Sequence, residues 1–356
     1  MALYEPGLGY YTRPQTEIGK AGDFYTSPHL HPAFGRMLAK QLEEMWGLLG
    51  KGPLAVIEQG PGKGYLAKDI LDALKDENAE LYEMVSYRLI ELNPGLREFQ
   101  ERLLKDHAGE KKVFWLDSLR DAPFDKGVLL ANELLDAFPV HLVQIERGAV
   151  REVRVGFEKG KGEFAEVLCP PSTPEIEKYL KKFLLEGPEP GLSGLPDGYR
   201  TEVNLALRGW VREVSAALCE GFVLVVDYGW PAWDYYSPER DRGTLLCYCR
   251  HRVVEDPYKA VGEMDITAHV NFSALKVFGE EAGFSCAGFC PQGTYLVSLG
   301  IEDILTNLGQ NDILKLKGLL LPGTMGETHK VMALYKGPAG TPELRGFKMR
   351  NQCKAL

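Results

Sequence analysis

Residues 54–65 read LAVIEQGPGKGY. Four apolar residues, Leu54 to Ile57, lead into Glu58, and three glycines follow at alternate positions, Gly60, Gly62 and Gly64. An apolar run bounded by glycine predicts a buried strand. Glycines at this density predict backbone that approaches a ligand closely, because no Cβ stands in the way. The residues after them, 65–74, have helical spacing, so the loop joins a strand to a helix.

The same alternation continues downstream. Strands are predicted at 87–92 (YRLIEL), 112–117 (KVFWLD), 127–134 (GVLLANEL) and 221–229 (GFVLVVDYG), with a helix at 96–104. Two more strands are expected at 294–300 (TYLVSLG) and 329–337 (HKVMALYKG). Apolar strands that alternate with helices predict a mostly parallel sheet covered on both faces. Upstream, 36–49 has helical periodicity, and 1–35 reads as ordered loop rich in Gly, Pro, Tyr and Thr. Roughly ninety residues separate the strands at 127–134 and 221–229, far more than a crossover needs. Within them, residues 141–168 alternate apolar and polar around Arg-Gly and Lys-Gly turns, as hairpins do. A helix near 203–218 follows. The division expected is an N-terminal lid and helix (1–50), a core (51–140 and 219–340), an inserted α+β subdomain over the ligand edge (141–218) and a tail (341–356).

Three ligands could explain the glycine loop. A phosphate-binding P-loop needs Gly-Lys-Ser/Thr, but Gly64 follows Lys63. The dinucleotide fingerprint G-x-G-x-x-G, counted from Gly60, should place its last glycine where Tyr65 stands. The pattern E-x-G-x-G-x-G is matched throughout by Glu58 to Gly64, and it resembles the first motif of S-adenosylmethionine-dependent methyltransferases. Glu91, ending the next strand with Leu92 beside it, is placed to accept ribose hydroxyls. Asp117 and Ser118 end the strand after that and could take the adenine amino group. These successive strand ends point to an adenosine ligand at the C-terminal edge of the sheet.

A wider set of motifs occurs in order: YEPGLGYY, GDFYTSP, EQGPGKG, ELNPGLREFQ, ANELLDAFPV, GFVLVVDYG, DITAHVNF and MGETHKVMALY. Over nearly the whole chain they resemble the MidA-like methyltransferases. The resemblance implies a Rossmann-like class I methyltransferase sheet of about seven strands with an added subdomain. It also implies S-adenosyl-L-methionine as cofactor. The mitochondrial member of that family is a respiratory complex I assembly factor linked to symmetric arginine dimethylation of a core subunit. A protein substrate, possibly such a subunit, is therefore expected. Two residues depart from the family pattern: His29 follows TSP, and Gln59 replaces the more usual aliphatic residue.

Methylating an arginine requires carboxylates that fork onto its N–H groups and ease proton loss. ANELLDAFPV supplies Asn132, Glu133 and Asp136 just past an apolar strand. Asn132 and Glu133 are assigned to the cofactor-facing loop, and Asp136 to substrate orientation or to a cap of the following turn. Asp227 is a second candidate wall, Glu202 could reach over from the insertion, and His269 is a candidate base or a structural histidine. GDFYTSP reads as a lid, or as a strap packed on the sheet, in which Asp23 and Thr26 could contact cofactor or substrate.

The bulk numbers fit an enzyme of this kind. The chain has 356 residues, 45% of them hydrophobic, and a formal net charge of −9. That balance argues against a broad nucleic-acid face. No apolar run is long enough to span a membrane, and MALYEPGLGYY has neither a signal nor a transit pattern. It reads as the middle of structure, which leaves room for an upstream helix. Seven cysteines without scaffold density fit a reducing compartment, cytoplasmic in a bacterium or the mitochondrial matrix in a eukaryote. Cys247-x-Cys249-x-His251 with Cys286 and Cys290 is not a structural-zinc spacing, so no metal is expected. Two other readings stand beside arginine methylation: a methyltransferase for another residue or a small molecule, and an assembly chaperone that binds the cofactor without turnover.

Overall fold

The computed structural model describes residues 1–13, 26–121, 123–185, 195–249, 252–305 and 309–356. Its strands run in chain order as β1 (Leu54–Gln59), β2 (Val85–Ile90), β3 (Val113–Leu116), β4 (Phe124–Asn132), β5 (His141–Glu146), β6 (Ala149–Glu158), β7 (Glu163–Cys169), β8 (Arg200–Val203), β9 (Leu218–Trp230), β10 (Leu246–Cys249), β11 (Arg252–Val254), β12 (Asp265–Thr267), β13 (Val270–Asn271), β14 (Ser285–Pro291) and β15 (His329–Lys336).

The central sheet has the order β14-β15-β9-β4-β1-β2-β3, with β13 added beside β9. Strands β3, β2, β1, β4 and β9 are mutually parallel, and β15 inserts antiparallel between β9 and β14. The expected Rossmann-like, mostly parallel sheet is therefore present. Its apolar strands are buried on both sides, as alternating residues of β1 show. Val56 packs with Phe34, Leu38 and Leu42 of the helix Ala33–Leu48 and with Ile70 of the helix Tyr65–Glu77. Ala55 and Ile57 join the opposite cluster, with Val211 and Val214 of the helix Ala206–Ala217 and Leu275 of the helix Phe272–Glu281. Chain order reverses between β1 and β4, so loops after these strands diverge and open a crevice at the C-terminal edge.

The long connection between β4 and β9 forms a four-stranded antiparallel sheet, β7-β6-β5-β8, which includes the two hairpins expected from the sequence. A second small sheet, β11-β10-β12, follows β9 and was not anticipated. One expectation is corrected. Residues 294–300 are not a strand: Gln292–Ser298 is a helix, whose buried Tyr295, Leu296 and Leu299 share one face. The edge strand is instead β14, SCAGFCP, whose small residues hide its strand character. Cys286 of β14 is disulfide-bonded to Cys353 of the tail.

The smallest residue of β14 has a packing reason. A Cβ on Gly288 would lie 2.2 Å from the Phe347 ring, which fills the space above the strand. Gly288→Ala should destabilise the fold by about 1–3 kcal/mol through overpacking. Phe347→Leu should cost less in that background than in the wild type. A double-mutant cycle from urea unfolding tests this, and strictly additive losses would rule out the contact.

Candidate active site

The crevice beyond β1 and β4 is a cavity of about 290 Å³. Glu58, Gly60, Gly62, Glu91, Leu92, Asp117, Ser118, Asn132, Glu133, Thr26 and His29 all line it. Gly60, Gly62 and Gly64 have φ of +70°, +53° and +79°, a backbone region that favours glycine. A Cβ on Gly60 would meet Leu134 at 3.0 Å, and one on Gly64 would meet Gln100 at 3.1 Å. Gly60 and Gly62 thus line the cavity together with Pro61 and Lys63, while Gly64 packs against Gln100 outside it.

Two carboxylates lie beside this loop, Glu58 buried and Glu91 half-buried. Glu58 Oε2 accepts the Tyr87 hydroxyl at 2.7 Å, and burial raises its pKa to about 7. Glu91 Oε1 accepts the Asn93 N–H at 2.8 Å, and Oε2 accepts Gln100 Nε2 at 3.3 Å. Burial raises Glu91 to about 7 as well, against the lowering effect of these donors. Asp117 is mostly exposed and pairs with Arg97, while Ser118 donates to Asp121.

Gln100 was not singled out in the sequence. It is fully buried on a helix whose apolar face it shares. Its Nε2 also donates to Gly62 O at 2.6 Å, and its Oε1 accepts Trp115 Nε1 at 3.0 Å. One side chain therefore connects the glycine loop, Glu91 and β3. Asn93 caps the same helix through Gly95 and Leu96 N–H, and its Nδ2 donates to the carbonyls of Tyr11 and Arg13. The N-terminal segment is thereby fastened to the Glu91 side of the cavity. The same segment reaches the other side, where Tyr4 donates to Ala137 O and Tyr11 to Asp265.

The loop after β4 brings a second group of acids together. Glu133 has a left-handed backbone, φ +49°, which is strained for this residue type. Its Oε1 accepts the Ser27 N–H at 3.1 Å and Asn132 Nδ2 at 3.4 Å. Asp136 is buried, and its Oδ1 has no hydrogen-bond partner. Burial, then the charges of Asp227, Asp265 and Glu133, raises the Asp136 pKa well above the usual range. Burial raises Asp227 as well, to about 8, but the N–H groups of Leu135, Asp136 and Tyr228 that it accepts oppose the rise, so a proton shared by the pair sits preferentially on Asp136.

Several expected roles do not match these positions. Asp227 lies beneath the loop and clamps its backbone instead of forming a cavity wall. Glu202 is buried under Thr244, Leu245 and Tyr235, all of which donate to it, and it does not reach the cavity. His269 Nδ1 accepts Trp230 Nε1 at 2.9 Å, so that lone pair is spent, and burial lowers its pKa to about 4. The base assigned to His269 is therefore a hydrogen-bonded structural histidine. Thr26 bonds His29 Nδ1 at 2.5 Å on the cavity wall, with His29 Nε2 left buried and unpartnered. Asp23 lies outside the described residues. Among the described residues no group of three or more His, Cys, Asp or Glu is arranged to hold a metal ion, and no helix is long and apolar enough to cross a membrane.

Comparison with known proteins agrees with this geometry. A family model described as "Putative S-adenosyl-L-methionine-dependent methyltransferase" matches residues 37–290. The mitochondrial protein arginine methyltransferase NDUFAF7 homolog of Drosophila melanogaster is 29% identical over 94% of this chain and 79% of its own. The human protein arginine methyltransferase NDUFAF7 is 28% identical over 84% of this chain and 68% of its own. A crystal structure from Burkholderia thailandensis, bound to S-adenosyl-homocysteine, superimposes with a TM-score of 0.88 at 33% identity. It covers 100% of this chain and 90% of that one.

The residues present fit that cofactor: an open glycine turn, buried acids at strand ends, and unpartnered polar atoms on Asn132 and His29 facing one enclosed space. Since the family model spans most of the chain, including the glycine loop and both acid-bearing loops, the chain belongs to the MidA-like family of S-adenosyl-L-methionine-dependent methyltransferases.

Proposed function

We propose that this methyltransferase modifies an arginine side chain of a protein, a respiratory complex I subunit or a related substrate. The observation that carries the reading is Asp136. It is a buried carboxyl group with an unpartnered oxygen, surrounded by Glu133, Asp227 and Asp265. Tyr4, Tyr11, Tyr228 and Tyr248 all lie in the field of these acids. Burying several carboxyl groups together is costly unless a cation joins them. A guanidinium offers five N–H donors in a plane, suited to carboxylate oxygens and to tyrosine faces. The names of the distant relatives support the same substrate class.

In this reading the bound cofactor supplies an electrophilic methyl group on a sulfonium. The chain supplies alignment. The glycine loop and Glu91 hold the cofactor, with Leu92, Asp117 and Ser118 around its adenosine end. Glu133 accepts an N–H of the arginine and draws off its proton. Entry of the cation drives the Asp136 proton out to solvent, and the resulting carboxylate orients the guanidinium. The subdomain at 141–218 is assigned to the substrate side. The direct test is methyl transfer to a complex I core subunit, with the modified residue located by mass spectrometry. A methyl group found only on another residue type or a small molecule would overturn the arginine assignment. Binding of both cofactor and subunit with no transfer would favour an assembly chaperone.

Two variants separate the cofactor site from the substrate site. Hydroxyl donors favour ionised Glu91, so cofactor binding releases a proton below the raised pKa of about 7. Affinity for S-adenosylhomocysteine should therefore rise from pH 6 to pH 8, and Glu91→Ala should weaken it by about 1–3 kcal/mol. Calorimetry across that range checks both, and an unchanged affinity would place Glu91 outside the site.

Asp136→Asn keeps the shape but removes the ionisable group. S-adenosylhomocysteine affinity should stay within about twofold, while kcat falls roughly 100-fold. Equal loss of cofactor binding would assign Asp136 to the cofactor side or to the fold.

A further inference from the structure

His329 opens β15 within the MGETHKVMALY motif and has no role in the scheme above. It is completely buried. Its Nε2 has no hydrogen-bond partner and lies 3.6 Å from Glu133 Oε1. Its Nδ1 meets the Thr328 hydroxyl at 3.3 Å. The Thr328 hydroxyl also donates to Thr324 O at 3.1 Å, so the carboxylate beside Nε2, and not the hydroxyl, is what favours the ring proton on Nε2, aimed at Glu133. An orphaned buried donor is costly, and here a shift of a few tenths of an ångström by Glu133 would satisfy it.

The contacts of Glu133 are one-sided. Ser27 N–H, Asn132 Nδ2 and His329 Nε2 all approach Oε1. No described residue bonds Oε2, and Glu133 lines the cavity. Its backbone is held in a left-handed conformation that would relax without such restraint.

We infer that His329 is a positioning residue for Glu133: its Nε2–H completes a set of donors on Oε1 and leaves Oε2 to the substrate nitrogen. The donors come from three separate parts of the chain, the start of the short helix Ser27–Leu30, the end of β4 and the start of β15. They converge only in the folded protein. Anchoring Oε1 aims Oε2 at the substrate nitrogen. The groups facing His329 are Glu133 from the loop after β4 and Tyr228 from β9, whose ring centroid is 4.0 Å away. His269 lies across Tyr228. Lys330 on the same strand is turned toward Glu327 O and the Trp230 ring. None of these offers a second carboxylate to His329.

The inference rests on the arginine reading for its substrate but can be tested without it. His329→Leu removes the donor and keeps an apolar side chain in the space. His329→Gln keeps an N–H donor. The leucine variant should lose about 10- to 100-fold in kcat with little change in KM, as a misaimed group does. Its S-adenosylhomocysteine affinity should be unchanged. The glutamine variant should recover most of the rate.

A second measurement reads the pairing directly. In ¹⁵N-histidine-labelled protein with S-adenosylhomocysteine bound, His329 Nε2 should carry a proton, and its resonance should shift in Glu133→Gln. An unprotonated Nε2, or a resonance indifferent to Glu133→Gln, overturns the inference. So does an equal loss in the leucine and glutamine variants, which would mean His329 serves packing alone. Failure of the wild type on every arginine substrate would reject the arginine reading only, since the resonance arm still decides the pairing.

Discussion

Asp227 is the residue on which the site depends. It lies near the C-terminal end of β9 in the main sheet, and its carboxylate collects the N–H groups of Leu135, Asp136 and Tyr228. Those donors would otherwise be unpaired in a buried turn. By holding them, Asp227 fixes the path of the chain from Asn132 to Asp136. That path includes a strained left-handed residue, Glu133, whose own N–H is held by Val226 O of the same strand. One strand thus fixes the shape of the loop that leaves its neighbour. The positions of Glu133 and Asp136 follow from backbone geometry set outside the loop.

The Glu91 side of the cavity uses a different device. There, side-chain amides take the place that the carboxylate takes at Asp227. Gln100 joins the Gly62 carbonyl, Glu91 and Trp115, and Asn93 joins a helix start to the N-terminal segment. Amides suit this task because each supplies both a donor and an acceptor. They can therefore connect a carbonyl, a carboxylate and an indole N–H without adding charge. The result is a cavity wall in which Glu91 is fixed by neutral partners.

Much of the fold was legible because buried parallel strands are written as continuous apolar runs. LAVIEQ, GVLLAN and FVLVVDYG can be read without knowing their neighbours. SCAGFCP could not, because its strand identity comes from β15 and from the space that Phe347 requires above Gly288. TYLVSLG misled for the complementary reason: a short apolar run suits helix and strand equally, and packing decided it. At the site, the glycine loop and the acids at strand ends were visible as residue types. Their partners were not. An acid near a strand end looks the same in sequence whether it lines the cavity, as Glu91 does, or holds a backbone turn, as Asp227 does. Glu202 and His269 read as reactive groups until Thr244, Tyr235 and Trp230 are seen to occupy their bonding atoms.

The N-terminal segment joins the two halves of the site. Its carbonyls at Tyr11 and Arg13 are held by Asn93 on the Glu91 side, while the Tyr4 and Tyr11 hydroxyls reach Ala137 and Asp265 on the acidic side. Tyr11 therefore serves both, through its backbone on one side and its side chain on the other. A rearrangement that freed Asn93 would loosen the Tyr11 hydroxyl from Asp265, and with it one wall of the acidic chamber. The two halves share this short stretch of chain, so order on one side constrains the other. The physical link between them is a tyrosine with partners at both ends, without any need for a hinge between rigid bodies.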